Sequence, residues 1–252
     1  MPKQHPNSPH TVLGKARLIL DQFTVERPRM TMMAIVNGSG LPKPTVYRML
    51  QEMTDLGLTS HQGKHYQLGM MALRLGMIAK QTLRLDEIFG DLLTPLAALT
   101  GETVITAALD RDETVYLHVI ESKQALRFVA GAGARRPLPF GATGMALLSQ
   151  LSEDKQRLLL HEPFEPFTAR TVTDLDAYLA RLKQAQADQL VIEVGEYYDN
   201  IMAIAVPVPN GTPLTFTLVG PEDRIRPNQS LIIDKLQRAS AEFAHIGVEL
   251  PF

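Results

Sequence analysis

One short stretch of the sequence carries polar and basic side chains at helical spacing, on a segment whose other side is apolar. The set is Lys43, Thr45, Tyr47, Arg48 and Gln51. Lysine and arginine bind phosphate oxygens, and arginine, threonine and glutamine can form hydrogen bonds with base edges in a major groove. The residue types and their spacing therefore predict contacts with duplex DNA. The alternative for Arg48 is a surface position with no partner.

An apolar stripe runs along the opposite side of the same segment. Val46, Met49, Leu50 and Met53 recur at the spacing of a helix with one buried face. The helix is predicted to begin around residues 42–44, because proline is tolerated in a first helical turn, where the backbone donors have no intrahelical partner. This helix would present the polar set to solvent.

A second, shorter helix is predicted just before it. Thr31 is a suitable N-cap for a helix over 32–36, and the glycine-rich stretch 37–40 is a turn signal. Two helices joined by a tight glycine turn form a helix-turn-helix, in which the second helix enters the major groove. An ordinary small helical subdomain is the alternative.

A two-stranded wing is predicted to follow these helices. Residues 58–60 and 65–68 are short strand-like pieces on either side of Gln62, Gly63 and Lys64. Lys64 would then lie at the tip of the wing, near the phosphate backbone. A further amphipathic helix is predicted over 12–23, so this part of the chain is a winged helix-turn-helix.

The charge distribution agrees with a polyanionic partner for this end of the chain. Residues 1–69 hold eight lysines and arginines against four acidic residues, which leaves 17 basic and 23 acidic residues for the rest. A basic segment on an acidic body favours binding to a nucleic acid. Chance fluctuation is the alternative for charge taken alone.

Several function classes are disfavoured by composition. Cysteine is absent, which excludes disulfides, cysteine-based zinc sites and a cysteine nucleophile. The first ten residues do not resemble a signal peptide, and no apolar stretch reaches the length of a membrane span. We find no catalytic constellation, metal motif or cofactor motif: the histidines are scattered, and His61 and His65 fall on the predicted wing. The sequence predicts a soluble cytoplasmic protein that is not an enzyme.

The remainder of the chain alternates between helical and strand periodicity. Helices are predicted over 69–83, 85–100, 141–151, 153–161, 174–188 and 228–247. In the second of these, the predicted buried stripe is Ile88, Leu92, Leu96 and Leu99. Strands are predicted over 104–109, 114–120, 126–129, 190–194, 202–208 and 214–219, the first two joined as a hairpin. The pattern predicts an α+β domain around an antiparallel sheet.

Taken together, these stretches resemble the IclR family of transcriptional regulators. The resemblance lies in 40–50, which matches the entry to the family's recognition helix, and in 66–69, which matches the exit from its wing. It continues through 101–104, 115–117, 136–138, 144–148, 204–208 and 220–221. The chain departs from the family at Pro44, where serine or threonine is usual, at Val36, where a small alanine is usual, and at Met145, where lysine is usual.

The resemblance implies a domain plan and a ligand site. The plan is a winged helix-turn-helix over 10–69, a linker helix over 70–84 and a GAF-like effector-binding domain over 85–252. The implied effector site comprises Gly141, Ala142, Glu193, Ala203 and Thr217. Gly141 also begins a predicted helix, whose N-terminal N–H groups favour a carboxylate; a glycine needed only for a turn is the alternative. Glu193 could orient a ligand hydroxyl or simply be exposed.

These observations predict a DNA-binding transcriptional regulator controlled by a small organic acid. Relatives that bind small keto acids carry polar side chains where this chain has Ala203 and Val219, so we expect a less polar pocket and an aromatic or bulky acid. We also expect a homodimer or a tetramer of dimers. A ligand-independent architectural DNA binder, which would have a filled C-terminal core, and an enzyme with an appended DNA-binding domain are the alternatives.

Overall fold

The computed structural model describes residues 11–139, 141–209 and 211–246, with only the backbone of Leu83 and Leu85. Contacts within the chain separate it into two compact units that meet between Leu83 and Arg84. Each unit has its own apolar core, and each is described by itself below. The assignment of residues 70–84 as a linker stays a prediction.

The first unit contains three helices, a small sheet and a fourth, more exposed helix. Its elements are α1 (Val12–Leu20), β1 (Met30–Thr31), α2 (Met32–Ser39), α3 (Lys43–Asp55), β2 (Thr59–Gln62), β3 (His65–Leu68) and α4 (Met70–Leu83). Thr31 caps α2 as predicted, because its hydroxyl accepts from the Ala34 N–H at 3.2 Å. Gly40 ends α2 with φ of +67°, a left-handed conformation that glycine adopts without strain.

The apolar face of α3 is buried as its periodicity predicts. Val46, Met49, Leu50 and Met53 are all buried and pack with Ile19 of α1 and Ile35 of α2. The sheet has the order β1-β3-β2, all antiparallel. The sequence missed β1, because a two-residue strand has no periodicity of its own, and it placed the end of α1 three residues too late.

The second unit is built on a six-stranded antiparallel sheet. Its elements are α5 (Leu85–Thr100), β4 (Thr103–Asp110), β5 (Glu113–Ile120), β6 (Arg135–Pro137), α6 (Gly141–Leu148), α7 (Glu153–Leu159), α8 (Leu175–Asp188), β7 (Val191–Val194), β8 (Ile201–Val208), β9 (Leu214–Pro221), α9 (Glu222–Ile225), a 3-10 turn (Arg226–Asn228) and α10 (Gln229–Ile246). The strand order is β6-β5-β4-β9-β8-β7. The predicted fold class, a winged helix-turn-helix followed by an α+β domain on an antiparallel sheet, is confirmed.

Helices cover both faces of this sheet. On one face, α5 and α10 pack through a cluster of three fully buried rings, in which Phe89 stacks on Phe243 and meets Phe216 edge-on. On the other face, α6 packs against the strands and α8 packs against α6, through an apolar core that includes Met145, Leu179 and Leu182. The second face is the one that carries the cavity described below.

Two sequence predictions for this unit are wrong. The buried stripe of α5 is Phe89, Leu93 and Leu96, whereas Leu99 is exposed. The helix is apolar on more than one side, so periodicity alone could not choose the inward face. Residues 126–129 form no strand; the additional strand is the short β6, whose Arg-Arg-Pro sequence has no apolar alternation. Among the described residues, no helix is long and apolar enough to cross a membrane.

Candidate DNA-contacting surface and ligand cavity

The exposed face of α3 carries the side chains predicted to contact DNA. Lys43, Tyr47, Arg48 and Gln51 are exposed, and Thr45 is half-buried. Their presentation follows from the helix itself, because the buried stripe opposite them fixes the rotation of α3 against α1 and α2. The arrangement offers two cations, a phenol and an amide on one convex surface, a set suited to phosphates and base edges.

The first turn of α3 has fewer backbone donors than an ordinary helix start. Pro42 is the N-cap and provides no side-chain hydrogen bond, and Pro44 in the first turn has no N–H. Val46 N–H is already bonded to Pro42 O at 3.1 Å. The N–H groups of Lys43 and Thr45 therefore remain as the donors that this helix end can offer to a phosphate.

Arg48 lies beside Glu52 one turn further along α3. Their closest charged atoms, Arg48 Nε and Glu52 Oε1, are 4.0 Å apart, and both side chains are more than half exposed. An exposed pair at this distance contributes little, about 0–1 kcal/mol. Arg48 can therefore leave Glu52 for a base or a phosphate at small cost.

The wing presents Lys64 at its tip. Strands β2 and β3 pair from Thr59 with Leu68 to Gln62 with His65, so Lys64 falls in the connecting turn, where it is exposed. His61 and Tyr66 are cross-strand partners whose ring centroids lie 4.6 Å apart. The ring pair stiffens the hairpin behind the exposed lysine.

In the second unit, the five predicted ligand residues lie around one cavity. Gly141 and Ala142 come from the start of α6, Glu193 from β7, Ala203 from β8 and Thr217 from β9. The cavity has a volume of about 50 Å³. This is several times the ~10–15 Å³ that one water molecule needs. The structure therefore brings these five residues together, while their contact with a ligand stays a prediction.

Glu193 is buried at the cavity, and the alternative of an exposed strand residue is wrong. Its side chain lies on β7, and the residue is only 4% exposed. Its Oε1 accepts from the N–H groups of Glu196 and Tyr197 at 2.6 and 3.2 Å. Burial nevertheless raises the pKa of Glu193 above its ordinary value, because the two backbone donors only partly replace water.

The loop that holds Glu193 is itself fixed by α8. Arg181 of α8 donates two hydrogen bonds to the Glu196 carboxylate, at 2.7 and 2.8 Å. Thr171 donates to the Glu196 carbonyl at 2.6 Å. These contacts place the Glu196 and Tyr197 N–H groups against Glu193, so the position of its carboxyl group does not depend on a ligand.

The start of α6 is positioned by a buried tyrosine. Tyr178 of α8 donates its hydroxyl to the carbonyl of Pro139, which lies two residues before the helix. Burial raises the pKa of Tyr178, so the phenol stays protonated and keeps this bond. Gly141 then enters α6 with φ of +72°, a conformation that favours glycine. The turn requirement is therefore present at this residue, which is also the first residue of α6.

Comparison with known proteins identifies both units. The family model of the IclR helix-turn-helix domain matches residues 12–63, and the model of the bacterial transcriptional regulator IclR C-terminal domain matches residues 78–245. The chain belongs to the IclR family. It is a DNA-binding transcriptional regulator, as the sequence predicted.

Individual relatives agree with this assignment. The chain is 31% identical to the regulator KdgR of Escherichia coli K12 over 81% of its own length and 82% of that protein. It is 29% identical to the probable regulator SauR of Cupriavidus necator over 80% and 81%. Two solved IclR-type structures share the fold. One, from Silicibacter sp. TM1040, has a TM-score of 0.85 at 23% identity, covering 95% and 97% of the two chains. The other, from Microbacterium hydrocarbonoxydans, was solved with 4-hydroxybenzoate and has a TM-score of 0.79 at 22% identity, covering 94% and 99%.

Sequence reasoning missed much of the cavity wall in this IclR-family protein. The additional polar and aromatic residues at the cavity are Thr114, Tyr116, Phe128, Arg136, Thr143, Tyr197 and Tyr198. Arg136 is half-buried, and its guanidinium lies over the Tyr116 ring, 5.7 Å from the centroid. The signal available in the sequence was its position just before the α6 loop.

The residues that the structure describes hold no cluster of three or more histidine, aspartate or glutamate side chains able to bind a metal ion. His61 and His65 lie on neighbouring strands of the wing, where His61 contacts the Tyr66 ring. The side chains around the cavity of the second unit offer hydrogen bonds, charge and ring contacts.

Proposed function

We propose that this IclR-family regulator is controlled by a small organic acid that binds in the cavity of the second unit. Lys43, Thr45, Tyr47, Arg48, Gln51 and Lys64 contact operator DNA. The observation that carries the effector proposal is the cavity itself, which brings the start of α6 and the buried Glu193 together. For binding to change DNA affinity, the acid must favour one of two conformations of the protein.

The walls of the cavity favour an organic acid with a ring. Tyr116, Phe128, Tyr197 and Tyr198 contribute aromatic surface, and Ala203 and Val219 keep the floor apolar. Engineered cavities that admit benzene measure about 150 Å³, which is larger than the cavity seen here. A ring therefore enters only if the wall moves, and Tyr198, which is 49% exposed and contacts Phe128 edge-on, is placed to swing outward. The 4-hydroxybenzoate complex of the Microbacterium relative supports this ligand class.

Two other functions are less well supported. A ligand-independent architectural DNA binder would have a filled core in the second unit, and the cavity argues against it. An enzyme would need an acid, a base or a nucleophile aimed at a common point. In the described residues, Glu193 accepts from backbone N–H groups and Glu196 is paired with Arg181, so both carboxyl groups are engaged in holding the loop after β7. We propose that the protein has no catalytic role and requires no cofactor.

Self-association is the third part of the proposal. Helix α4 exposes large apolar side chains at Met70, Leu73, Met77 and Ile78, each more than half exposed. An apolar helix surface of this kind marks an interaction site in a folded protein. A second copy of the chain is the proposed occupant, which would pair two recognition helices for two half-sites of DNA. Leu73→Glu with Met77→Glu should convert a dimer or tetramer to smaller species in sedimentation, with helicity unchanged.

The effector proposal is tested by thermal shift together with DNA-binding anisotropy on the full chain. The ligand set is 4-hydroxybenzoate, benzoate, 4-hydroxyphenylacetate, pyruvate and glyoxylate. We expect a ring acid to raise the melting temperature and to change operator affinity. Ala203→Leu, which fills the cavity, should abolish both responses and keep DNA binding, whereas Ala180→Leu on the exposed side of α8 should change neither. Stabilisation by pyruvate or glyoxylate alone would overturn the ring-acid class.

A further inference from the structure

One wall of the cavity combines a cation, a hydroxyl and a ring on neighbouring strands. Thr114 of β5 and Arg136 of β6 are direct cross-strand partners in the register. Side chains of such partners lie on the same face of a sheet with Cβ atoms roughly 5 Å apart. Tyr116 is two residues further along β5, hence on that face too, and its ring lies beneath the Arg136 guanidinium. All three residues line the cavity.

The hydroxyl of Thr114 is buried without a partner. Thr114 is 2% exposed, and its Oγ1 has no hydrogen-bond partner among the residues that the structure describes. Its neighbour in the cavity wall, Thr143, is different, because it donates to Thr217 at 3.0 Å. A buried polar group left without a hydrogen bond carries a free-energy cost. A ligand oxygen in the cavity would remove that cost.

The two arginines before α6 have separate roles. Arg135 donates to Glu113 at 2.6 Å and to Asp110 at 2.9 Å, and so braces the β4–β5 hairpin. Arg136 donates from Nη1 to the Arg135 carbonyl, and its side chain lies against the cavity. A guanidinium has five N–H groups in a planar fork, which matches the two oxygens of a carboxylate.

The opposite wall offers a different kind of group. Glu193 uses Oε1 for both backbone N–H groups, so a ligand hydroxyl would meet its other carboxyl oxygen. A ligand hydroxyl suits this oxygen in either protonation state, because a hydroxyl accepts from a carboxylic acid and donates to a carboxylate. A second ligand carboxylate would be repelled by ionised Glu193.

We propose that Arg136 and Thr114 together bind the carboxylate of the effector, and that Glu193 binds a hydroxyl at the effector's far end. The proposal rests on the proposed function and specifies it: the ligand is a hydroxy acid whose two polar groups are separated by a ring or a chain of similar length. Tyr116 lies beneath the Arg136 guanidinium and keeps it in place. Arg136 is then the residue that selects acids over neutral compounds.

The test compares matched ligands on the full-length protein by isothermal titration. The probes are 4-hydroxybenzoate, its amide 4-hydroxybenzamide, and benzoate, which lacks the hydroxyl. The wild-type protein should bind 4-hydroxybenzoate about tenfold or more tightly than the amide, and several-fold more tightly than benzoate. The variants are Arg136→Gln, Arg136→Lys, Thr114→Val and Glu193→Met, and the control is Arg157→Gln on the exposed α7.

The outcomes separate this inference from the effector proposal. Arg136→Gln should bind acid and amide alike, Arg136→Lys should recover part of the preference, and Thr114→Val should weaken acid binding by about threefold or more without lowering the melting temperature. Glu193→Met should remove the preference for the hydroxyl; if it does not fold, the wild-type comparison with benzoate decides that point. Wild-type binding of the acid with an unchanged acid-to-amide ratio in Arg136→Gln would overturn the inference and leave the effector proposal standing. No binding of any acid to the wild type would contradict both.

Discussion

Arg136 and Glu193 lie on the two opposite edge strands of the six-stranded sheet, and both line one cavity. Arg136 belongs to β6 and Glu193 to β7, with four strands between them. Two edges can reach the same cavity only because the sheet is strongly twisted and curled. The consequence is a cavity with a cation at one side and a buried carboxyl group at the other, which is the basis for the ligand class proposed above.

The buried carboxyl group predicts an unusual pH dependence of stability. Because burial raises the pKa of Glu193 in the folded protein, the unfolded chain loses this proton first as pH rises. The contribution of Glu193 to the free energy of unfolding therefore falls as pH increases from the ordinary glutamate value of 4.5 through the raised folded value. Glu193→Gln keeps an oxygen for the two backbone donors and does not titrate.

The measurement is the melting temperature of wild type and Glu193→Gln across acidic to neutral pH. We expect the melting temperature of Glu193→Gln to rise relative to that of the wild type as pH rises through that window. Below the window, the difference between the two melting temperatures should be constant. A difference that is the same at every pH would show that Glu193 has an ordinary pKa in the folded state.

The ion pair between Glu102, just before β4, and Arg224 of α9 predicts a large effect on the free energy of unfolding. Glu102 is 2% exposed and accepts from Arg224 Nε at 2.5 Å and Nη2 at 2.9 Å. Glu102→Gln should lower the free energy of unfolding by roughly 1–3 kcal/mol, less than for a fully buried pair because Arg224 is about one third exposed. Asp234→Asn, which breaks the exposed pair with Arg238, should change it by less than about 0.5 kcal/mol. Urea denaturation measures both, and equal effects would contradict the account.

The wing predicts a contact that is insensitive to sequence. Lys64→Ala should weaken binding to all duplexes alike and reduce the slope of log affinity against log salt by about one unit. The reason is that an exposed lysine at a wing tip meets phosphates, which every sequence shares. Lys155→Ala, at an exposed position of the second unit, should leave the slope unchanged. A change in sequence preference for Lys64→Ala would instead place this residue at a base edge.

The sequence predicted the candidate DNA-contacting surface more fully than the cavity. The face of α3 follows from local periodicity, because Val46, Met49, Leu50 and Met53 must be buried and the polar set must then face out. The walls of the cavity depend on which strands meet when the sheet curls. Arg136 and Thr114 are 22 positions apart and become neighbours only through the pairing of β5 with β6, a strand that no apolar alternation reveals. The signal for Glu193 came from the family resemblance rather than from its surroundings in the chain.

Dependence on distant parts of the chain also explains why the predicted buried face of α5 is wrong. Its apolar residues cover more than one face, so the choice between Leu99 and Phe89 depended on the partner rings Phe216 and Phe243, which come from distant parts of the chain. Periodicity identifies a helix and its boundaries to within a few residues, whereas the inward face of an almost wholly apolar helix is set by tertiary packing.

The central claim, that α3 reads DNA sequence through Arg48, is tested most directly by selecting bound duplexes from a random pool with purified full-length protein. The wild type and Arg157→Ala, an arginine in an equivalent exposed i,i+4 pair with glutamate, should enrich the same sequence with two related half-sites. Arg48→Ala should bind that sequence more weakly by about 1–3 kcal/mol and lose the preference at one position in each half-site. Enrichment of the same sequence by Arg48→Ala, with undiminished affinity, would contradict the account.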